Sequence, residues 1–148
     1  MKYTKLLISI LIVFLVAFIG SLFTEIGPWY DSIKPSITPP GWVFPVVWNI
    51  LFLLIALSLY FNWRKGLNFK IKLIYSLNFI LNILWSYLFF TLKNVKLAFL
   101  DLILLEFSII YLIFLSYKNN KTSAYLLIPY LLWVGFAGIL NYLILKSI

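Results

Sequence analysis

KPSITPPGWVFPVVW, Lys34 to Trp48, places four prolines and two tryptophans in fifteen residues, and Gly41 to Trp63 then runs on without a charge. The two halves of this stretch make different demands. Proline fixes φ and donates no backbone hydrogen bond, so Pro39-Pro40 ends any preceding helix and stiffens the chain. Pro45 is tolerated only where first-turn N–H groups lack helical partners, which predicts a helix starting near Trp42. The charge-free run is long enough to cross ~30 Å of hydrocarbon at ~1.5 Å per residue. The stretch therefore reads as a rigid aromatic elbow at a membrane surface, feeding a spanning helix.

Four more hydrophobic runs lie around it, Leu6–Thr24, Leu73–Leu92, Leu97–Tyr117 and Thr122–Leu145, the third of these carrying Asp101 and Glu106. With residues 41–63 they make five. Strict alternation is absent, and in hydrocarbon the backbone must satisfy its own hydrogen bonds, so the expected fold is all-α. The 148 residues predict one domain, a bundle of five transmembrane helices at about 6–24, 41–63, 73–92, 97–117 and 122–145. Three links are short, Arg64–Lys72, Lys93–Lys96 and Lys118–Lys121, which predicts antiparallel neighbours. The link between helices 1 and 2 is long, Glu25–Pro40, and its prolines predict a partly structured loop.

Composition agrees. The chain is 64 % hydrophobic and 11 % charged, where a soluble domain averages about a quarter charged. Mean hydropathy is +1.06. The N-terminal run has the lysines of a signal peptide but no small-residue cleavage site, so it reads as an uncleaved span. The net charge of +8 would suggest nucleic acid in a soluble protein. Here the cations flank the hydrophobic runs and act as topology signals, so no nucleic-acid partner is expected. Eight fall on one side (Lys2, Lys5, Arg64, Lys65, Lys70, Lys72, Lys118, Lys121) and four on the other (Lys34, Lys93, Lys96, Lys146). The positive-inside rule predicts a cytoplasmic N-terminus with the long loop outside, and the Lys/Ile/Asn-rich usage suggests a bacterial cell membrane.

Cysteine and histidine are absent, and Met1 is the single methionine. That excludes disulfides, thiol or Ser-His nucleophilic catalysis and zinc held by Cys or His; of the usual haem ligands only tyrosine remains. No metal or cofactor is expected.

Polar and aromatic residues recur at matching depth in the half of the membrane beneath the long loop. Trp48 lies ~10 Å into the second span, Trp85 ~10 Å and Asn82 ~15 Å from the loop side in the third, and Trp133 ~18 Å and Ala137 ~12 Å in the fifth. Asn78, Asn82, Trp85 and Ser86 share one face of the third span; Tyr130, Trp133, Ala137 and Asn141 form a stripe on the fifth. Polar side chains in hydrocarbon face the bundle interior. The expectation is an aromatic-walled pocket for a flat conjugated ligand, with the loop as its lid. The plainer alternative is that the asparagines join helices and the tryptophans fill the core. Trp29, Trp42 and Tyr30 equally suit an interfacial aromatic belt.

Other features are less specific. Asp101 and Glu106 sit ~140° apart around the fourth span, which disfavours a paired-carboxylate site. Asp101 is expected to complement the helix dipole, and an ion or proton path through the two is a further alternative. Ala17, Gly20, Ser21 and Thr24 form a small-residue patch suited to seating another helix, in this subunit or a second. Leu140, Tyr142 and Lys146 fit a sterol pattern easily met by chance.

WYDSIKPSITPPGWVFPVVW, LNFILNILWSYLFF, LAFLDLILLE and LLIPYLLWVGFAGILNY together resemble the TspO/MBR family, the tryptophan-rich sensory proteins that include the translocator proteins. The resemblance covers nearly the whole chain. It departs at Ile37, where the family has tryptophan, and at Pro45, one position early in the family's Phe-Gly-Pro-Val-Trp. It implies a five-helix membrane protein, often a homodimer, that binds porphyrins such as protoporphyrin IX and hydrophobic drugs of the isoquinoline carboxamide class. The family's pocket tryptophans match Trp48 and Trp133, its asparagine Asn78, and its small residue Ala137. In some bacterial members those tryptophans are linked to light-dependent porphyrin degradation, which would make Trp48 and Trp133 catalytic. Eukaryotic members are linked to cholesterol. The expected ligand residues are thus Trp48, Asn78, Asn82, Trp85, Ser86, Trp133 and Ala137, with Trp29, Pro39, Pro40 and Trp42 in the lid.

Overall fold

The computed structural model describes residues 1–148 and contains helices only. The spans are α1 (Lys2–Phe23), α3 (Val43–Lys65), α4 (Phe69–Ser86, prolonged by a π-helical turn at Tyr87–Thr91), α5 (Val95–Asn119) and the pair α6 (Lys121–Leu126) and α7 (Ile128–Ser147). A short α2 (Pro28–Ile33) lies in the first loop, which is otherwise irregular. Five helical stretches are long and apolar enough to cross a membrane. The distribution of side chains agrees. Ser58, Asn62, Asn78, Ser116 and Ser123 are completely buried, while Leu11, Phe107 and Leu132 face outward at 69, 65 and 69 % exposure. Water would reverse that arrangement; lipid favours it.

The helices outrun the hydrophobic segments. The starts of α4, α5 and α6 are each set by an asparagine cap. Asn68, Asn94 and Asn120 accept side-chain hydrogen bonds from Ile71 N (2.9 Å), Leu97 N (3.0 Å) and Thr122 N (3.1 Å). Helix therefore begins at Phe69, Val95 and Lys121, ahead of the hydrophobic runs expected from 73, 97 and 122. α3 begins at Val43, which puts Pro45 in the first turn, as the missing N–H of proline requires.

The expected fifth helix is broken. Leu127 separates α6 from α7, and Pro129 occupies the first turn of α7. Proline there cannot donate backward and its ring would crowd the preceding turn, so the axis breaks rather than continuing from Thr122. The expected continuous third helix is also interrupted. Its last turn widens to π geometry, with Leu92 N bonding to Tyr87 O at 2.9 Å. The wide turn brings the consecutive Phe89 and Phe90 both into the interior, at 2 and 7 % exposure.

The order of helices corrects one further expectation. α3 and α4 are joined by three residues, with Gly66 at φ +106°, yet they are not side-by-side neighbours. α1 packs against both. α3 also meets α6 and α7, α5 meets α6, α7 and α4, and the ring closes through α1.

Near the basic ends, buried side chains seal the ring. Ser58 Oγ lies 2.7 Å from Tyr75 OH and 2.8 Å from Ser123 Oγ. Asn62 donates to Tyr75 OH (3.1 Å) and Ser116 Oγ (2.9 Å). Ile55, Ile109, Leu112 and Leu127, all at most 1 % exposed, fill the space around this network. Hydrogen bonding between spans satisfies groups that lipid cannot.

Candidate functional site

The other half of the bundle, beneath the first loop, is hollow. A cavity of about 430 Å³ is lined by all five spans and the loop. No Lys, Arg, Asp or Glu reaches it. Trp48, Asn82, Trp85, Ser86, Trp133 and Ala137, expected from the sequence, all stand on its wall.

The aromatic walls are braced. Trp48 meets Phe52 at 5.3 Å between ring centroids and the Tyr130 ring edge-on at 6.3 Å. Trp133 sits edge-on to Phe44 at 5.8 Å. Trp85 stacks on Phe89 at 5.0 Å, and its Nε1 donates to Asn141 Oδ1 at 3.2 Å. Asn141 Nδ2 in turn donates to the Val95 carbonyl at 3.1 Å. Trp85 is therefore fixed by α7 and, through it, by the start of α5.

A directional hydrogen-bond chain forms the floor. Asn82 Nδ2 donates to Tyr130 OH (3.0 Å), which donates to Asn78 Oδ1 (3.0 Å). Asn78 Nδ2 donates to Ser108 Oγ (2.9 Å), which donates to the Leu105 carbonyl (2.7 Å). The chain ties α4, α7 and α5 together. It also corrects one expectation: Asn78 is fully buried in this chain and does not line the cavity. Asn82, one turn nearer the loop, is the asparagine on the wall.

The lid is built differently from expectation. Trp29, Pro39, Pro40 and Trp42 do not line the cavity; Ile26, Tyr30, Gly41, Phe44 and Pro45 do. Trp29 turns onto Phe89 (5.6 Å), with Lys93 Nζ 5.5 Å from its ring centroid. Trp42 caps α3 and is 69 % exposed. Tyr30 packs on Phe89 and Phe90 at 6.2 and 5.9 Å, and burial raises the pKa of its hydroxyl. Lys34, on the loop surface, pairs with Asp31 at 2.7 Å, which raises the lysine pKa.

Sequence reasoning missed the contribution of α1. Ala17, Gly20, Ser21 and Thr24 line the cavity, and Gly20 also approaches Ser86 of α4. Their small size was the available signal, but a small-residue face signals close approach of either a helix or a ligand. Ser21, Thr24, Pro45 and Asn49 are exposed as well as lining, so the mouth lies between α1 and the start of α3.

Asp101 and Glu106 stand apart from the cavity. Asp101 is 4 % exposed and neither carboxyl oxygen has a partner. It lies beyond the first turn of α5, so complementing the helix dipole does not explain it. Glu106 Oε1 lies 3.2 Å from where a Cβ on Gly135 would stand, and Oε2 is buried without a partner.

The TspO/MBR family profile matches residues 9–146.

The chain belongs to the TspO/MBR family.

Its relatives match over most of their lengths. The tryptophan-rich protein TspO of Archaeoglobus fulgidus is 40 % identical over 97 % of both chains. The protein of the same name from Bacillus cereus is 42 % identical over 83 % of this chain and 82 % of its own. Human translocator protein is 32 % identical over 88 % of this chain and 82 % of its own. Five apolar helices and this membership make the chain an integral, multi-pass membrane protein, and the relatives support a membrane sensory or translocator role.

Proposed function

We propose that the cavity takes flat, conjugated, hydrophobic molecules, with porphyrins such as protoporphyrin IX foremost, and that the protein is their membrane receptor or carrier in a sensory or tetrapyrrole-handling role. The observation that carries this reading is the meeting of three indoles from three spans, Trp48, Trp85 and Trp133, on one uncharged wall. Indole faces stack on conjugated rings, and a largely apolar pocket with a few placed polar groups suits such a ligand. Because no charged side chain lines the cavity, an acidic group on the ligand stays at the mouth beside Ser21, Thr24 and Asn49, where solvent or headgroups reach it. Proposed partners are therefore a porphyrin or similar small molecule, membrane lipid, and a second copy of the chain.

The test is an equilibrium titration of purified protein with protoporphyrin IX, read by tryptophan fluorescence. Saturable quenching that weakens when Trp48→Ala and Trp133→Ala are combined supports the reading. Quenching without saturation, or affinity unchanged in the variant, removes it.

The same indoles support a second reading, light-dependent degradation of bound porphyrin, since indole is an oxidisable ring lying against a photosensitiser. Illuminated mixtures would lose the Soret band, and Trp48→Phe with Trp133→Phe would slow that loss. An unchanged rate would eliminate it. Transport through Asp101 and Glu106 has less support, because neither reaches the cavity and the basic half of the bundle is sealed.

A further inference from the structure

The helix order gathers charge that the sequence alone leaves scattered. Because α1 packs against both α3 and α4, its N-terminus meets the end of one and the start of the other. The link between those two helices is only Gly66–Asn68. One corner of the bundle therefore carries Lys2 and Lys5 from α1, Arg64 and Lys65 from α3, and Lys70 and Lys72 from α4. Lys5 shows the juxtaposition directly: its Nζ lies 5.9 Å from the Trp63 ring centroid and reaches the Trp63 carbonyl at 3.5 Å. Arg64 lies over Tyr60 at 5.8 Å. All six except Lys5 are exposed.

Nothing in the chain neutralises them. Of its four carboxylate side chains, Glu25 and Asp31 belong to the first loop at the opposite end, and Asp101 and Glu106 lie within α5. The one ion pair in the protein, Lys34–Asp31, is also at the loop end. Lys2, Lys70 and Lys72 stand in first helical turns, where the macrodipole disfavours cations. Six cations concentrated without a counter-charge repel one another unless something outside the chain supplies anions.

We propose that this α1–α3–α4 corner is a binding surface for anionic phospholipid headgroups. The charges sit at the ends of spanning helices, where headgroup phosphates lie. Lysine and arginine stems reach that level along apolar surface. Trp63 and Tyr60 hold two of the cations there by ring contacts suited to the interface. Each basic residue near a negatively charged leaflet contributes favourably, and the effect is screened by salt. The proposal is independent of what occupies the cavity.

The test compares the full chain in bilayer discs mixing phosphatidylglycerol with phosphatidylcholine, and measures the lipids retained on the protein by native mass spectrometry. Retention should favour phosphatidylglycerol by about tenfold over its share of the bilayer and fall as salt is raised. Replacing Lys2, Lys5, Arg64, Lys65, Lys70 and Lys72 by Gln should abolish the preference; replacing Lys34, Lys93, Lys96 and Lys146 by Gln should not. Should the six-fold variant fail to fold, the salt series on the unmodified chain and Lys70→Gln with Lys72→Gln carry the test. No preference in the unmodified chain, or a preference indifferent to salt and to these substitutions, overturns the proposal. Displacement of the lipid by millimolar inorganic phosphate would assign the corner to free anions and overturn the lipid assignment.

Discussion

Asn82 Nδ2 and Tyr130 OH lie 3.0 Å apart, and this hydrogen bond helps join the third span to the fifth at the floor of the cavity. Tyr130 OH in turn donates a hydrogen bond to Asn78 Oδ1, so the hydroxyl is paired on both sides and ties the floor together. Asn82 is the member of the chain that a ligand can touch.

Tyr130→Phe removes the central hydroxyl and leaves Asn82 Nδ2 and Asn78 Oδ1 without their partner. Hydrogen bonds between membrane helices average about 0.6 kcal/mol, and a stranded buried amide costs more, so stability should fall by about 1–2 kcal/mol. Thermal unfolding in detergent checks this. An unchanged midpoint would mean that the chain adds nothing to stability.

Ala137→Phe should fill the cavity from α7. Helix content stays unchanged by circular dichroism, and protoporphyrin affinity falls at least about tenfold, since a filled pocket cannot admit a planar ring. Affinity equal to that of the unmodified chain would place the ligand elsewhere.

Asp101→Asn combined with Glu106→Gln should leave protoporphyrin affinity within about twofold, because neither carboxyl lines the cavity. Asp101→Ala should raise stability by about 1 kcal/mol, since it removes a buried group whose oxygens have no partner. Lower stability in that variant would show that Asp101 has a partner within the fold.

Gly135→Ala places a methyl 3.2 Å from Glu106 Oε1. The contact is tight, so the carboxyl must shift within a half-buried site, and stability should drop by about 1 kcal/mol. In the background of Glu106→Ala the same substitution should be close to neutral. Equal losses in both backgrounds would show that the two residues are not coupled.

The five spans were legible because lipid admits only helices or closed barrels, strict alternation is absent, and the hydrophobic runs have the right length. Their ends were not, because Lys70, Lys72, Lys96 and Lys121 are good helix formers whose charged heads reach water from inside a helix. The capping asparagines at 68, 94 and 120, and not the nearest lysine, decide where helix begins. The separation of α3 from α4 by α1 was hidden because a short link fixes proximity at one end only.

Depth and helical face pointed to Trp48, Asn82, Trp85, Ser86, Trp133 and Ala137, which line the cavity. They could not separate Asn78 from Asn82, one turn apart on the same face, since the distinction lies in what Ser108 and Tyr130 supply. Nor could they show that Trp29 and Trp42 turn away while Tyr30 and Phe44 turn in. Trp29 and Tyr30 lie on α2, and Trp42 and Phe44 at the start of α3, and stretches this short show no hydrophobic period from which a face can be read.

The central claim is tested most directly by the structure of the protein with protoporphyrin IX bound in a lipid bilayer. The macrocycle should lie in the cavity beneath the first loop, within about 4 Å of the Trp48 or Trp133 indole, with its acidic edge at the mouth between α1 and α3. A porphyrin held on the lipid-facing surface, with the cavity beneath the loop empty, would contradict the account.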